Sequence, residues 1–484
     1  MNTPLNPGRM PAHVQPGHSR IRPDARPLAR HSIPGVLLWL TLATAILWLL
    51  AAGLPAQAQL AENVTEFRLE NGMHVVVIED HRVPAVNHTL WYRVGSIDEP
   101  QGKSGLAHFV EHLMFKGTEN VPVGEYERSI RSRGGSSGAS TSYDFSLYRA
   151  RIASEHLEEI MRLEADRMHG IVLEGPEVDS ERDVIIEERN ERTDSDPSSL
   201  LREQMTAALY LNHPYGRPVI GWRHEMEQLS REDVLKFYRQ HYRVDNSILV
   251  VSGDVTAAQV RELAEKHYGS LAVPDSDLQR IITAEPPHLA ERRLKLEDSR
   301  VSNPYVLRRY LAPDDYKGDQ HKLASIAILA NLLGDSGITS ALGKKLQLER
   351  SVAAFTGASY RGNITRPVEL VVFILPTPEH TLQEAETALD EALLEFIEEG
   401  VDEAQLQRVK AQLKYNQIYE LDDTMTSALK FGRGLVQGLT VEQILAWPEA
   451  LQQVESEDVL EAAQLLLDRR RSVTGWLLKE GTEL

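Results

Sequence analysis

One stretch decides how this chain folds, Ser104-Gly-Leu-Ala-His-Phe-Val-Glu-His-Leu-Met-Phe-Lys-Gly117. Ser104 can cap the start of a short helix, and Gly117 can end it in the left-handed conformation. An apolar stripe recurs at helical spacing, at Leu106, Phe109, Val110 and Leu113. His108, Glu111 and His112 fall at i, i+3 and i+4, so they share a neighbouring face. The pattern predicts a helix with a partly buried polar face.

The polar face of this helix carries groups suited to a metal. Buried polar groups need partners, and two imidazoles one turn apart are a natural start for a zinc site. Glu111 lies beside them and can take a proton from a bound water. The alternative is a surface helix with two solvated histidines and a glutamate, because so short a motif also occurs by chance.

Composition limits the class of protein and the kind of metal site. The chain has 484 residues, which suggests two or more domains, and it has no cysteine. Disulfides are therefore excluded, and any metal must be held by His, Asp or Glu. The formal net charge of −19 argues against nucleic acid or anionic lipid as a partner of the folded part. Simple solubility is the alternative explanation for this acidity.

The first 58 residues differ in kind from the rest. Residues 1–35 contain five arginines, one acidic residue and no lysine, and residues 36–52 carry no charge. Because Ala56-Gln57-Ala58 follows as a small-x-small cleavage site, residues 1–58 are predicted to be a secretory signal peptide. The alternative is an uncleaved anchor in the inner membrane that leaves the protein facing the periplasm. An exported protein without cysteine fits a bacterial periplasm.

Strand and helix patterns alternate in residues 59–270. Asn71-Gly72 predicts a tight hairpin, and residues 86–93 alternate with the period of a strand. Residues 139–152 predict a further strand. This part of the chain therefore mixes strands with helices such as the one at residues 104–117.

A second acidic motif lies in the helix predicted over residues 177–191, which Asp179 or Ser180 can cap. Glu181 and Glu188 are seven residues apart and share a face with apolar side chains. A metal or buried histidines would satisfy carboxylates in such a place. The alternative is a surface helix rich in Glu and Arg.

The chain then repeats a similar order of elements. Residues 271–291 lose periodicity and gather three prolines, which predicts a linker. Residues 292–484 run through strands, a helix, strands and closing helices, so the two halves look like weak internal duplicates. Of the two, the first has the histidine pair, and His321 and His380 are interpreted as surface residues.

Together these motifs resemble one peptidase family. The order His108-x-x-Glu111-His112 reverses the usual zinc-protease motif, and Glu188 follows His112 by 76 residues, at the end of Glu181-Arg-Asp-Val-Ile-Ile-Glu-Glu188. Further matching segments are Leu163–Met168, His213–Pro218 and Val250–Asp254. The chain is similar to the inverted zinc metallopeptidases related to pitrilysin, insulin-degrading enzyme and the mitochondrial processing peptidase.

The resemblance implies an α+β fold of two similar halves. Each half would be an antiparallel sheet with helices packed on one face, and together they would form half of a clam-shell chamber. Residues 59–270 would be the zinc-binding peptidase domain, and residues 292–484 a second, zinc-free homologous domain after the linker.

The resemblance also implies a function and the residues that carry it. His108, His112 and Glu188 would bind zinc, Glu111 would be the general base, and Glu181 would be an outer carboxylate that supports the site. The implied activity is that of a zinc-dependent endopeptidase acting on peptides or unfolded segments. The alternative is a non-catalytic family subunit with a structural or substrate-binding role.

Substrate binding is implied in the same way. An extended peptide would add as a strand to the sheet edge at Gly138, Ala139, Ser140 and Thr141, although relatives usually have Asn in place of Gly138.

In active relatives the zinc-free half supplies an Arg and a Tyr to the substrate. Tyr360 and Arg361 lie near a predicted strand, but the sequence does not assign them to that substrate-binding pair. A second family subunit, or a second copy of this chain, is therefore expected to complete the site.

Overall fold

The computed structural model describes residues 63–481 except residues 277, 336, 364 and 421. The predicted signal peptide, residues 1–58, lies outside this part of the chain. Within the described ranges, no helix combines the length and the apolar character that crossing a membrane requires.

Two sheets organise the described chain, and the predicted α+β class is confirmed. The first sheet has the strand order β1-β2-β6-β3-β5-β4. Its strands are β1 (Val64–Arg68), β2 (His74–Glu79), β3 (Ala85–Tyr92), β4 (Ser136–Thr141), β5 (Ser146–Ala153) and β6 (Ser247–Gly253). The second sheet has the order β7-β11-β8-β10-β9. Its strands are β7 (Arg292–Glu297), β8 (Tyr305–Leu311), β9 (Ala353–Arg361), β10 (Glu369–Pro376) and β11 (Ser472–Leu478).

The two halves share one topology. The order β2-β6-β3-β5-β4 of the first sheet returns as β7-β11-β8-β10-β9 in the second. The strand that closes each half, β6 or β11, inserts between two strands that run in opposite directions. It can therefore be antiparallel to only one of them, and the pairs β2–β6 and β7–β11 are parallel within otherwise antiparallel sheets.

Helices pack against both sheets. In the described residues of the first half they are α1 (Leu106–Leu113), α2 (Glu125–Ser132), α3 (Leu157–His169), α4 (Gly175–Arg189), α5 (Pro197–Leu209), α6 (Arg223–Met226), α7 (Arg231–His241) and α8 (Ala257–His267). In the second half they are α9 (Gln320–Ala330), α10 (Leu382–Glu399), α11 (Glu403–Glu420), α12 (Thr424–Val436), α13 (Val441–Gln453) and α14 (Ser456–Leu466).

One helix of each half packs on the sheet of the other half. Phe431 of α12 lies in a buried cluster with Trp91 of the first sheet. Met205 of α5 lies in a buried cluster with Val473 of the second sheet. The division of the chain at residues 271–291 stays a prediction, because each half contributes to the core of the other.

Two local predictions are wrong. Residues 139–152 form a hairpin rather than one strand, because the chain turns at residues 142–145 between β4 and β5. The second half does not close with helices alone, since α14 is followed by β11 in the interior of the second sheet. β4 is an edge strand that pairs with β5, which leaves its other edge open.

Candidate metal centre

α1 begins after a glycine rather than after the predicted serine cap. Gly105 is the N-cap with a φ of +87°, and an added Cβ would lie 2.7 Å from the Ile220 carbonyl oxygen. Glycine suits this position, because it has no Cβ to collide with that oxygen and it tolerates positive φ. The prediction of Ser104 as N-cap is wrong, since its hydroxyl accepts a hydrogen bond from the Trp222 amide at 2.8 Å.

Two carboxylates from outside the helix satisfy the first amides of α1. Glu99 accepts hydrogen bonds from the Gly105 amide at 3.2 Å and the Ala107 amide at 2.8 Å. Glu225 accepts one from the Ser104 amide at 2.7 Å. Negative groups are favourable at the positive end of a helix. Neither residue could be predicted from the sequence, because a cap supplied from elsewhere in the chain leaves no local pattern.

The helix is covered on both faces. Its apolar stripe is buried, at Leu106, Phe109, Val110 and Leu113. His108 and Glu111 are also buried, with 8% and 9% of their surface exposed, and His112 is half-buried. The helix ends at Leu113, before Gly117, although Gly117 has the predicted left-handed φ, +96°. The polar face of α1 is therefore largely withdrawn from water.

α4 lies against α1 and carries the second acidic motif. It begins at Gly175 with Glu174 as N-cap, so the predicted caps Asp179 and Ser180 are wrong. Pro176 explains the earlier start, because proline is favourable in the first turn of a helix. A π-helical turn, Asn190–Asp194, follows α4 directly, and such turns are frequent at functional sites.

Three candidate ligands converge between α1 and α4. The Nε2 atoms of His112 and His108 lie 3.3 Å and 3.6 Å from Glu188 Oε2. One ligand atom from each of the three residues falls within 4.8 Å of the others. Glu188 Oε2 is buried and has no hydrogen-bond partner in the described chain. An orphaned carboxylate oxygen facing two imidazole nitrogens fits a cation with nitrogen and oxygen ligands, as zinc is.

Further charged groups orient these ligands. Glu181 Oε1 lies 2.8 Å from His112 Nδ1, and Glu181 Oε2 lies 2.5 Å from Lys116 Nζ. The second oxygen of Glu188 pairs with Arg192 Nη1 at 2.6 Å. Lys116 and Arg192 were not singled out from the sequence, because a charged residue one turn from a ligand is common on any helix. Together the contacts fix the His112 ring and the Glu188 carboxylate.

The electrostatics of the metal-free cluster are asymmetric. Burial lowers the pKa of His108 to about 4. Burial acts on His112 in the same direction, but the carboxylates of Glu181 and Glu188 beside the ring outweigh it and raise the pKa of His112 to about 9. The hydrogen bonds that Glu181 accepts from His112 and Lys116 lower its pKa to about 2. At neutral pH one imidazole is therefore neutral and the other is a cation.

Glu111 points toward β4 across a cavity of about 860 Å³, which His108 and His112 also line. Burial raises the pKa of the Glu111 carboxyl, and the neighbouring polar groups of Thr141 act in the opposite direction. Glu111 Oε2 is buried without a hydrogen-bond partner among the described residues. A carboxylate of this kind can exchange a proton with a molecule in the cavity.

The predicted substrate-binding edge only partly reaches this cavity. Ala139, Ser140 and Thr141 of β4 line it. Gly138 lies opposite Arg149 of β5, and a Cβ added there would lie 3.4 Å from Arg149 Nε.

Tyr360 lines a separate cavity in the second half. In the part of the chain that the structure describes, neither it nor Arg361 lines the cavity of His108.

Comparison with known proteins identifies the family. A profile described as Insulinase (Peptidase family M16) matches residues 74–222, and one described as Peptidase M16 inactive domain matches residues 228–413. The zinc protease PqqE of Helicobacter pylori is 31% identical over 404 residues, which cover 82% of this chain and 89% of that protein.

Two solved structures share the fold. A protease from Helicobacter pylori has a TM-score of 0.79 and 26% identity, covering 86% of this chain and 99% of that one. The periplasmic protease PqqL from Escherichia coli has a TM-score of 0.74 and 20% identity, covering 86% of this chain and 48% of that one. The predicted resemblance to inverted zinc metallopeptidases is thus confirmed. This chain belongs to peptidase family M16, and its cofactor is zinc.

Proposed function

We propose that the protein is a zinc-dependent endopeptidase in which His108, His112 and Glu188 hold the metal and Glu111 is the general base. The observation that carries the proposal is the convergence of the three donor atoms within 4.8 Å beside the buried Glu111 carboxylate. Three protein ligands leave one position open, and zinc bound there would lower the pKa of a water molecule toward neutrality.

Each of the chain's own groups has a distinct task in this proposal. Glu111 takes a proton and later delivers it to the leaving amine, a role that its raised pKa favours because it brings the carboxyl nearer to neutral pH. Glu181 holds the His112 ring by its Nδ1 atom, so that Nε2 faces Glu188. The surrounding burial keeps competing water away from these groups.

The open edge of β4 is the proposed peptide-binding strand, with Gly138, Ala139, Ser140 and Thr141. Strand addition would pair the backbone of an extended peptide with this edge and lay it across the cavity. This mode favours chains that are already extended. The expected substrates are therefore peptides and unfolded segments.

Zinc content of ligand variants tests the proposed metal centre. Glu188→Gln is expected to lower bound zinc to well under half of the wild-type stoichiometry, because it removes an anionic ligand. Asp183→Asn is the matched control, since Asp183 is an exposed carboxylate on the same helix. Equal zinc content in wild type and Glu188→Gln would contradict the ligand assignment.

A second subunit is part of the proposal. No described residue of the second half lines the cavity around His108, so the Arg and Tyr that active relatives direct at substrate have no counterpart there. We therefore propose that a partner subunit, or a second copy of this chain, completes the site. Size-exclusion chromatography combined with a peptidase assay tests this idea, and full activity in a monomer fraction would refute it.

We also propose export to the periplasm through residues 1–58. The charge pattern and the Ala56-Gln57-Ala58 site support export, and the related fold of PqqL is that of a periplasmic protease. Fractionation of cells that express the full chain tests the location. N-terminal sequencing of the product distinguishes a cleaved leader from a retained anchor.

A further inference from the structure

The turn that follows the proposed peptide-binding strand contains a buried carboxylate. Residues 142–145 connect β4 to β5, and the Ser142 amide donates a hydrogen bond to the Phe145 carbonyl at 2.8 Å. Asp144 lies in this turn with 2% of its surface exposed. A buried carboxylate is costly unless other groups pair with it, so its partners indicate what the turn is built to hold.

The partners of Asp144 come from four other segments of the chain. Tyr215 donates to Asp144 Oδ2 at 2.5 Å, and Gln437 Nε2 donates to the same oxygen at 3.3 Å. Arg366 Nε lies 2.7 Å from Asp144 Oδ1. Arg280 donates to the Asp144 backbone carbonyl at 2.8 Å. Arg366 and Gln437 belong to the second half, so the end of β4 is tied to that half by a buried ion pair and a hydrogen bond.

Backbone contacts hold the turn from the other side as well. The Ser96 amide donates to the Ser142 carbonyl, and the Ile97 amide donates to the Tyr143 carbonyl, both at 3.1 Å. A Cβ on Gly95 would lie 2.4 Å from the Ser142 oxygen, so the two backbones meet as closely as a glycine permits. The turn therefore has little freedom to move.

The residue just before this turn faces the general base. Thr141 ends β4 and lines the cavity together with Glu111, whose pKa it lowers from nearby. A shift of the turn would move Thr141 relative to Glu111 and would tilt the open edge of β4. Asp144 itself does not line the cavity in the described chain, so it can act on a bound peptide only through the position of the strand.

We propose that Asp144 and Arg366 form a positioning pair that sets the β4 edge for peptide, so that peptide affinity depends on a contact between the two halves. The inference rests on the proposed function, because it takes β4 to be the peptide-binding strand. Neither residue touches the candidate ligands. The pair is thus expected to govern substrate binding and to leave the metal centre unchanged.

Binding of an unfolded protein tests the pair independently of turnover. Fluorescein-labelled β-casein is titrated into Glu111→Gln protein, into the same protein with Asp144→Asn, and into the same protein with Arg366→Gln. Each added substitution is expected to raise the Kd at least about tenfold, with zinc content unchanged. Combining both is expected to weaken binding no further than the worse single change, because the two residues act as one pair.

Two further variants separate positioning from general support of the fold. Arg366→Lys keeps the positive charge and is expected to recover part of the affinity. Asp468→Asn is the matched control, since it breaks an exposed pair with Arg470 and is expected to leave the Kd unchanged. Hydrogen exchange of the β4 amides is expected to quicken in Asp144→Asn.

The outcomes distinguish this inference from the proposed function. An unchanged Kd in Asp144→Asn and Arg366→Gln would overturn the positioning role. Loss of zinc together with loss of casein binding would overturn it too, because the pair would then support the whole fold. If Glu111→Gln protein binds no casein without further changes, either as the separate chain or as its assembled dimer, the proposed peptide binding at β4 fails before the pair is tested.

Discussion

His112 is the residue on which the metal centre depends most. Its Nδ1 atom is held by Glu181, which Lys116 holds in turn, so the ring cannot rotate freely. The same contacts stabilise the charged imidazole in metal-free protein and raise the pKa of His112 to about 9. Zinc requires a neutral imidazole, so metal and proton compete for this residue.

Zinc binding is therefore expected to release about one proton per site at pH 6, below the range in which a water on zinc would ionise. At that pH His112, with a pKa of about 9, is almost fully protonated and must lose its proton. His108, with a pKa of about 4, is already neutral and releases none. Titration calorimetry of metal-free protein in buffers of different ionisation enthalpy measures the number.

The sign of the pH dependence gives a second check on the same competition. The His112 contribution should fall toward zero as the pH rises through 9, because His112 is then neutral before the metal arrives, whereas a water on zinc would add up to one proton above neutral pH. Release of two protons at pH 6, or of none, would contradict the assigned states of the two histidines.

At the scale of elements, α1 is the decisive part of the structure. Apolar periodicity predicted its existence and its polar face, because those depend only on neighbouring residues. Its true start could not be predicted, since Gly105 is required by the close approach of Ile220 and the capping carboxylates come from Glu99 and Glu225. The hairpin turn at residues 142–145 was also not predicted, because it contains neither glycine nor proline, the residues that most often signal a turn.

Removal of the remote cap is expected to destabilise α1. Glu99→Ala leaves the amides of Gly105 and Ala107 buried without an acceptor, which should lower the free energy of unfolding by about 1–3 kcal/mol. Urea denaturation of metal-free protein measures the change. Glu127→Ala is the control, because Glu127 forms an exposed pair with Arg131 and should change stability by less than about 0.5 kcal/mol. Equal effects of the two substitutions would show that Glu99 is not a cap.

At the scale of the whole molecule, the two halves are joined by an exchange of helices: α12 of the second half packs on the first sheet, and α5 of the first half packs on the second. The duplicated topology was predicted in outline from the order of strands and helices, and both sheets follow one strand order. The exchange itself could not be predicted, because the apolar residues of α12 would show the same sequence pattern whichever sheet they pack on. Trp91 shows the difference, since it lies in a buried cluster with Phe431 from the other half of the chain.

Close packing between the halves gives a direct stability prediction. An added Cβ at Gly432 of α12 would lie 2.1 Å from the indole of Trp91. Gly432→Ala is therefore expected to destabilise the protein by about 1–3 kcal/mol, despite the better helix propensity of alanine. Thermal unfolding measures the change against Gly175→Ala, whose added Cβ meets no atom within 4 Å. A Gly432→Ala protein as stable as the control would contradict the packing of α12 on the first sheet.

The proposed mechanism requires Glu111 to move the proton while the candidate ligands hold zinc. The most direct measurement compares cleavage of labelled β-casein and zinc content in wild type and Glu111→Gln. This mechanism predicts a loss of cleavage of about 10²–10⁴-fold with zinc retained, because the amide cannot accept the proton. Equal cleavage by the two proteins would contradict it.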